Sequence, residues 1–126
     1  MTISKKKKDS TELLVEAVVL GLQERKGSNI SVLDLRNIES SVCQFFVLCN
    51  GESTTHVSAV ADSVEEMTIK TRNDKPFHIE GKQQALWVLL DYVDVVVHVF
   101  HKSIRQEYNL EELWADAPRK DIENLF

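Results

Sequence analysis

Residues 87–100 read WVLLDYVDVVVHVF, and every position except Asp91, Asp94 and His98 is aliphatic or aromatic. Two runs rich in β-branched and aromatic residues on either side of a short break are the pattern of strands folded back on each other. The spacing predicts strands over Leu86–Asp91 and Val95–Phe100, joined at Tyr92, Val93 and Asp94 as a tight antiparallel hairpin. Aspartates at turns commonly bond to their own backbone, which accounts for Asp91 and Asp94 without a metal ion. His98, set among valines, reads as a half-buried histidine satisfied by one hydrogen bond.

Upstream of the hairpin, apolar residues recur at helical spacing from Ser10 to Arg25, after an Asp9 or Ser10 suited to capping the first turn. Lys26–Asn29 is the stop, and Ile30–Leu35 alternates as a strand. Val42–Leu48 is almost continuously apolar and is closed by Asn50 and Gly51, so it reads as an interior strand covered on both faces. A cap-like Ser-Thr-Thr then opens a long amphipathic helix over residues 53–72, broken by Asn73–Pro76. Phe77–Ile79 forms a short strand before Gly81. Downstream, His101–Tyr108 reads as a short helix with His101 as its cap, and Leu110, Leu113 and Trp114 dock another turn. The order favours an α/β (α+β) domain, a mixed sheet of about five strands flanked by helices. Apolar periodicity fades before Pro118. The expected division is therefore a lysine-rich tail at 1–9, a folded domain at 10–117 and a flexible tail at 118–126.

Composition narrows the function. The net charge is −5, yet four of the fifteen basic residues are Lys5–Lys8, which leaves eleven basic against twenty acidic residues in the body. An acidic body repels phosphate backbones, which argues against sequence-specific nucleic-acid binding. Cys43 and Cys49 lie six residues apart, which in one strand is roughly 20 Å, too far for a disulfide. They read as small buried hydrophobes in a reducing compartment. No stretch approaches the roughly 18 apolar residues of a membrane helix, so the expected location is cytoplasmic.

The sequence lacks a phosphate-binding G-x-x-x-x-G-K-[ST], a dinucleotide fingerprint, a G-x-S-x-G elbow and an H-E-x-x-H. A nucleophilic pair of Cys43 or Cys49 with His98 has no activating context, and no third ligand stands at zinc spacing from His98 and His101.

The hairpin and its sequel, W-V-L-L-D-Y-V-D-V-V-V-H-V-F-H and I-R-Q-E-Y-N-L-E-E-L-W, strongly resemble the ribosomal silencing factor family, also called the Iojap family. V-L-D-L-R at 32–36, C-Q-F-F-V-L-C-N-G at 43–51 and T-H-V-S-A-V-A-D-S-V-E-E at 55–66 agree, in order, so that the resemblance covers residues 10–117. Val93 departs from it: the family usually has glycine between the two aspartates, and a β-branched residue resists positive φ.

The resemblance implies a non-enzymatic translation repressor without a cofactor. Such a protein would bind the large ribosomal subunit through large-subunit ribosomal protein fourteen, keep the small subunit from joining, and lower translation when nutrients are scarce. It also implies a fold similar to nucleotidyltransferases and a homodimer when free. A basic ribosomal protein suits an acidic partner with aromatic anchors. The expected contact region is therefore Trp87, Leu89, Asp91, Tyr92, Asp94, His98 and Phe100, supported by Arg105 and Tyr108. Strand alternation sets a limit, since Trp87, Leu89 and Asp91 face one way and Val88, Leu90 and Tyr92 the other. One set must be core. The competing reading is a small metal-dependent nucleotidyltransferase or hydrolase using Asp91, Asp94 and His98.

Overall fold

The computed structural model describes residues 8–125. Helix α1, Ser10–Glu24, begins at Asp9, whose carboxylate accepts the Glu12 N–H at 2.8 Å while the Glu12 side chain accepts the Asp9 N–H at 3.0 Å. This reciprocal cap satisfies two donors that the first turn would leave bare. Helix α2, Thr54–Arg72, is capped by Ser53 and ends at Asn73, which adopts the left-handed conformation at φ 56°. The two helices pack directly on each other. Gly21 makes this possible: a Cβ there would lie 2.7 Å from the Val64 Cα, and the bare backbone instead accepts the Ser63 hydroxyl at 2.7 Å.

The strands are β1 (Ser28–Asp34), β2 (Phe45–Gly51), β3 (His78–Glu80), β4 (Trp87–Asp91), β5 (Val95–His101) and β6 (Arg119–Ile122). They form one sheet in the order β3-β4-β5-β2-β1-β6. Among these neighbours β2 and β5 run parallel and the others antiparallel. Two short helices, α3 (Arg105–Tyr108) and α4 (Leu110–Leu113), lie between β5 and β6.

Side-chain alternation divides the core in two. On one face Phe45, Val47, Cys49, Val88, Leu90, Tyr92, Val95, Val97 and Val99 meet α1 and α2. On the other, Leu33, Leu35, Phe46, Leu48 and Phe100 meet Ile104, Leu110, Trp114 and Ala117 from the chain around α3 and α4. All seven residues of β2 are buried, as expected of a central strand covered on both sides.

Several expectations need correction. Among the described residues the strands number six, because Arg119–Ile122, expected to belong to a flexible tail, pairs with β1 in the register Ile30↔Ile122 through Leu33↔Arg119. Strand β2 starts at Phe45 rather than Val42, so Cys43 lies outside it, and Asn50 and Gly51 lie inside it. His101 ends β5 instead of capping α3, and its Nδ1 accepts the Ser103 N–H at 3.2 Å. The expected tail at 1–9 lies outside the described residues except for Lys8 and Asp9.

Candidate functional site

The β4–β5 turn is built by its own side chains. Asp91 Oδ1 accepts the Val93 N–H at 2.7 Å, the aspartate turn foreseen from the residue type. The Tyr92 N–H donates to the Val95 carbonyl at 2.8 Å and the Asp94 N–H to the Tyr92 carbonyl at 3.0 Å. The second bond spans three residues with Val93 at φ 75°, the rarer and more strained form of γ-turn. The Asp94 carbonyl accepts the N–H groups of Gln44 and Phe45, which ties the turn to the start of β2.

Val93 therefore holds a conformation that a β-branched residue resists, and the residue is 59% exposed. Val93→Gly is expected to raise stability by about 1 kcal/mol, because relief of strain exceeds glycine's extra chain entropy. Chemical denaturation measures it; a loss of stability would mean that the valine side chain contributes packing that outweighs its strain.

The orientation of Trp87's strand is decided by the helices. Val88, Leu90 and Tyr92 point into the α1–α2 core, whereas Trp87, Leu89 and Asp91 are half-buried on the opposite face. There the chain around α3 and α4 covers β5, β2 and β1 but leaves β4 partly open. Trp87 stacks on Phe100 with ring centroids 5.1 Å apart and meets Tyr108 of α3 at 4.4 Å. Tyr108 is 53% exposed, so this aromatic edge reaches solvent.

The expected contact residues thus separate. Trp87, Leu89, Asp91 and Tyr108 share the partly open face, and Asp94 is exposed at the turn. Tyr92 is on the helix side, where its hydroxyl lies 2.8 Å from Thr68 Oγ1 and burial pushes its pKa up to about 12. Phe100 is 1% exposed and belongs to the core beside Trp87, its cross-strand partner. Arg105 is buried in a network with Asn29, Ser31, Asn50 and Glu111, away from the hairpin turn. Val96 also packs on the second face. It carried no signal of its own, being one valine in a strand of them.

His98 is 4% exposed and sits between Phe46 and Phe100, with its Nδ1 accepting the Trp87 Nε1–H at 3.1 Å. Burial pulls its pKa down to about 4, so it is neutral at pH 7. Its Nε2 has no protein partner among the described residues, so the expectation of a histidine satisfied by one hydrogen bond holds for one nitrogen only.

The geometry does not assemble either catalytic alternative. Cys49 points to the helix side of the sheet and His98 to the other, and burial pushes the Cys49 thiol up to about 12. Cys43 is raised to about 11, first by burial and then by the negative charges of Asp91 and Asp94. A thiol held protonated at pH 7 is a poor nucleophile. Asp91 is engaged by its own turn and His98 by Trp87, and among the described residues no three His, Cys, Asp or Glu side chains are grouped to hold a metal ion. Among them, too, no helix is long and apolar enough to cross a membrane.

Comparison with known proteins agrees with this architecture. Residues 7–126 match the family model described as ribosomal silencing factor during starvation. The ribosomal silencing factor RsfS of Halalkalibacterium halodurans is 37% identical over 116 residues, spanning 92% of this chain and 97% of that protein. A crystal structure of a Chromobacterium violaceum protein superposes with a TM-score of 0.79 at 31% identity, covering 85% of this chain and 88% of that one. A more distant relative is the mouse mitochondrial assembly of ribosomal large subunit protein 1, 29% identical over 79% of this chain and 44% of its own length. The chain belongs to the ribosomal silencing factor family.

Proposed function

We propose that this chain, by its family a ribosome-associated repressor of translation, binds the large ribosomal subunit through large-subunit ribosomal protein fourteen and blocks entry of the small subunit. The observation that carries this reading is the partly open face of β4. Trp87, Leu89 and Tyr108 offer apolar and aromatic surface there, Asp91 stands at the end of the same strand, and the turn adds Asp94. Aromatic groups bordered by acid suit a basic protein surface better than bare phosphate. The acidic body acts in the same direction. No step requires bond chemistry: occupancy of the joining surface is sufficient. The free chain is proposed to be a homodimer, which sedimentation would read directly.

Co-sedimentation of the purified protein with large subunits tests the placement. Trp87→Ala and Asp94→Lys are each expected to weaken binding about tenfold or more, with the melting temperature checked in parallel. Tyr92→Phe keeps the ring and loses only a hydroxyl bonded to Thr68, so it is expected to bind like the parent. If Trp87→Ala and Asp94→Lys both bind as tightly as the parent, this face is not the contact. In the same preparation the protein should lower the yield of joined ribosomes in proportion to its occupancy of the large subunit.

A further inference from the structure

We propose that His98 is a positioning residue for the docking face, its neutral imidazole fixing the Trp87 indole by accepting the indole N–H on Nδ1. The proposal rests on the reading of the β4 face as the ribosome contact.

The geometry constrains the imidazole tightly. Nδ1 can accept the Trp87 Nε1–H at 3.1 Å only when it carries no proton, so the single proton of the neutral ring is on Nε2. That nitrogen is buried and has no protein partner among the described residues. A buried donor left without an acceptor is a cost that packing alone does not explain. Phe46, edge-on at 4.7 Å, and Phe100, stacked at 6.0 Å, make an aromatic slot that a phenyl ring would suit. A phenylalanine there would keep the packing and remove the unsatisfied donor. It would lose one thing, the acceptor that holds Trp87.

Trp87 is where that acceptor has an effect. Its indole meets both its buried cross-strand neighbour Phe100 and the exposed Tyr108. Rotation of the indole would change the surface that Trp87 and Tyr108 present together. A ring fixed before docking loses less rotational freedom on binding, which is how preorganisation adds affinity. The expected signature is opposed changes in stability and binding, since a purely structural histidine would move both together.

The test uses the full chain and two readouts. In the parent, the Trp87 indole N–H should give a nitrogen–proton NMR signal that exchanges slowly with solvent, assigned against Trp114 by a Trp87→Phe variant. His98→Phe should speed that exchange and weaken large-subunit binding, each by about tenfold or more, with an equal or higher melting temperature at pH 7. His98→Asn, whose amide oxygen can stand near the Nδ1 position, should return both readouts to within about threefold of the parent. If His98→Phe does not fold, His98→Leu supplies the variant without an acceptor. Binding unchanged in His98→Phe while Trp87→Ala loses it overturns the positioning role alone. Binding lost only in step with the melting temperature, with no recovery in His98→Asn, overturns it in favour of a packing role. Parent-like binding by Trp87→Ala alone overturns this proposal, and parent-like binding by both Trp87→Ala and Asp94→Lys overturns the docking-face reading with it.

Discussion

Replacing Arg105 by alanine is expected to destabilise the fold by about 3–5 kcal/mol, the usual cost of removing one partner from a buried ion pair. Its side chain is 8% exposed and that of Glu111 is 17% exposed, with 2.9 Å between them. The guanidinium also donates to Asn50 Oδ1 at 3.0 Å, to Ser31 Oγ at 3.1 Å and to the Asn29 carbonyl. Ser31 in turn donates to Asp121 of β6 at 2.7 Å. One side chain thus joins β1, β2, β6 and α4, and its removal leaves a carboxylate and several polar groups without their partner. Urea denaturation of Arg105→Ala measures the loss. A double substitution, Arg105→Met with Glu111→Met, should recover much of it, because an apolar pair needs no buried counter-charge. A loss below about 1 kcal/mol in the single variant would place Arg105 among solvent-screened surface pairs instead. Weakened ribosome binding by Arg105→Ala should accordingly track unfolding rather than a lost contact.

The same arginine shows where local reading of a sequence stops. Its partners at Asn29, Ser31 and Asn50 lie 76, 74 and 55 positions away, so nothing near I-R-Q-E-Y marks it as buried. Helices α1 and α2 were legible because capping residues and 3.6-residue periodicity are local properties. The hairpin was legible for the same reason, down to the aspartate turn at Asp91. Strand β6 was not, because R-K-D-I carries three charged residues and an edge strand pairs through its backbone. For β4, alternation separated Trp87, Leu89 and Asp91 from Val88, Leu90 and Tyr92 without saying which set was inward. That choice belongs to the two long helices, which pack on the face bearing Tyr92. Tyr92, expected in the contact region, therefore has its ring in core space beside α2.

The stability of this domain is expected to fall as the pH drops below 6.5, by about 3 kcal/mol in all, through His98 alone. In the fold its pKa is lowered from 6.5 to about 4, and burial is the cause. The ring faces Leu48 and Phe46 of β2 and Leu89 and Trp87 of β4, none of which is charged. At pH 7 both folded and unfolded chains hold it neutral, and its contribution is fully present. Below pH 6.5 the unfolded chain takes up a proton that the folded chain refuses, so the equilibrium moves toward unfolding until the folded ring also protonates near pH 4. Roughly 2 kcal/mol of the change falls between pH 6.5 and 5. Asp34 and Asp121, whose pKa values are lowered chiefly by hydrogen bonds from Arg36 and Arg119, favour the fold above the ordinary carboxylate pKa. Their contribution is lost at lower pH, as the solution passes down through their depressed values, so the upper window isolates the histidine. Urea denaturation of the parent at pH 7, 6 and 5 should show the decline, and His98→Phe, which has no proton to gain, should lack this component. Parent stability that stays level from pH 7 to 5 would mean that the imidazole can be protonated inside the fold, with the Trp87 indole released from Nδ1.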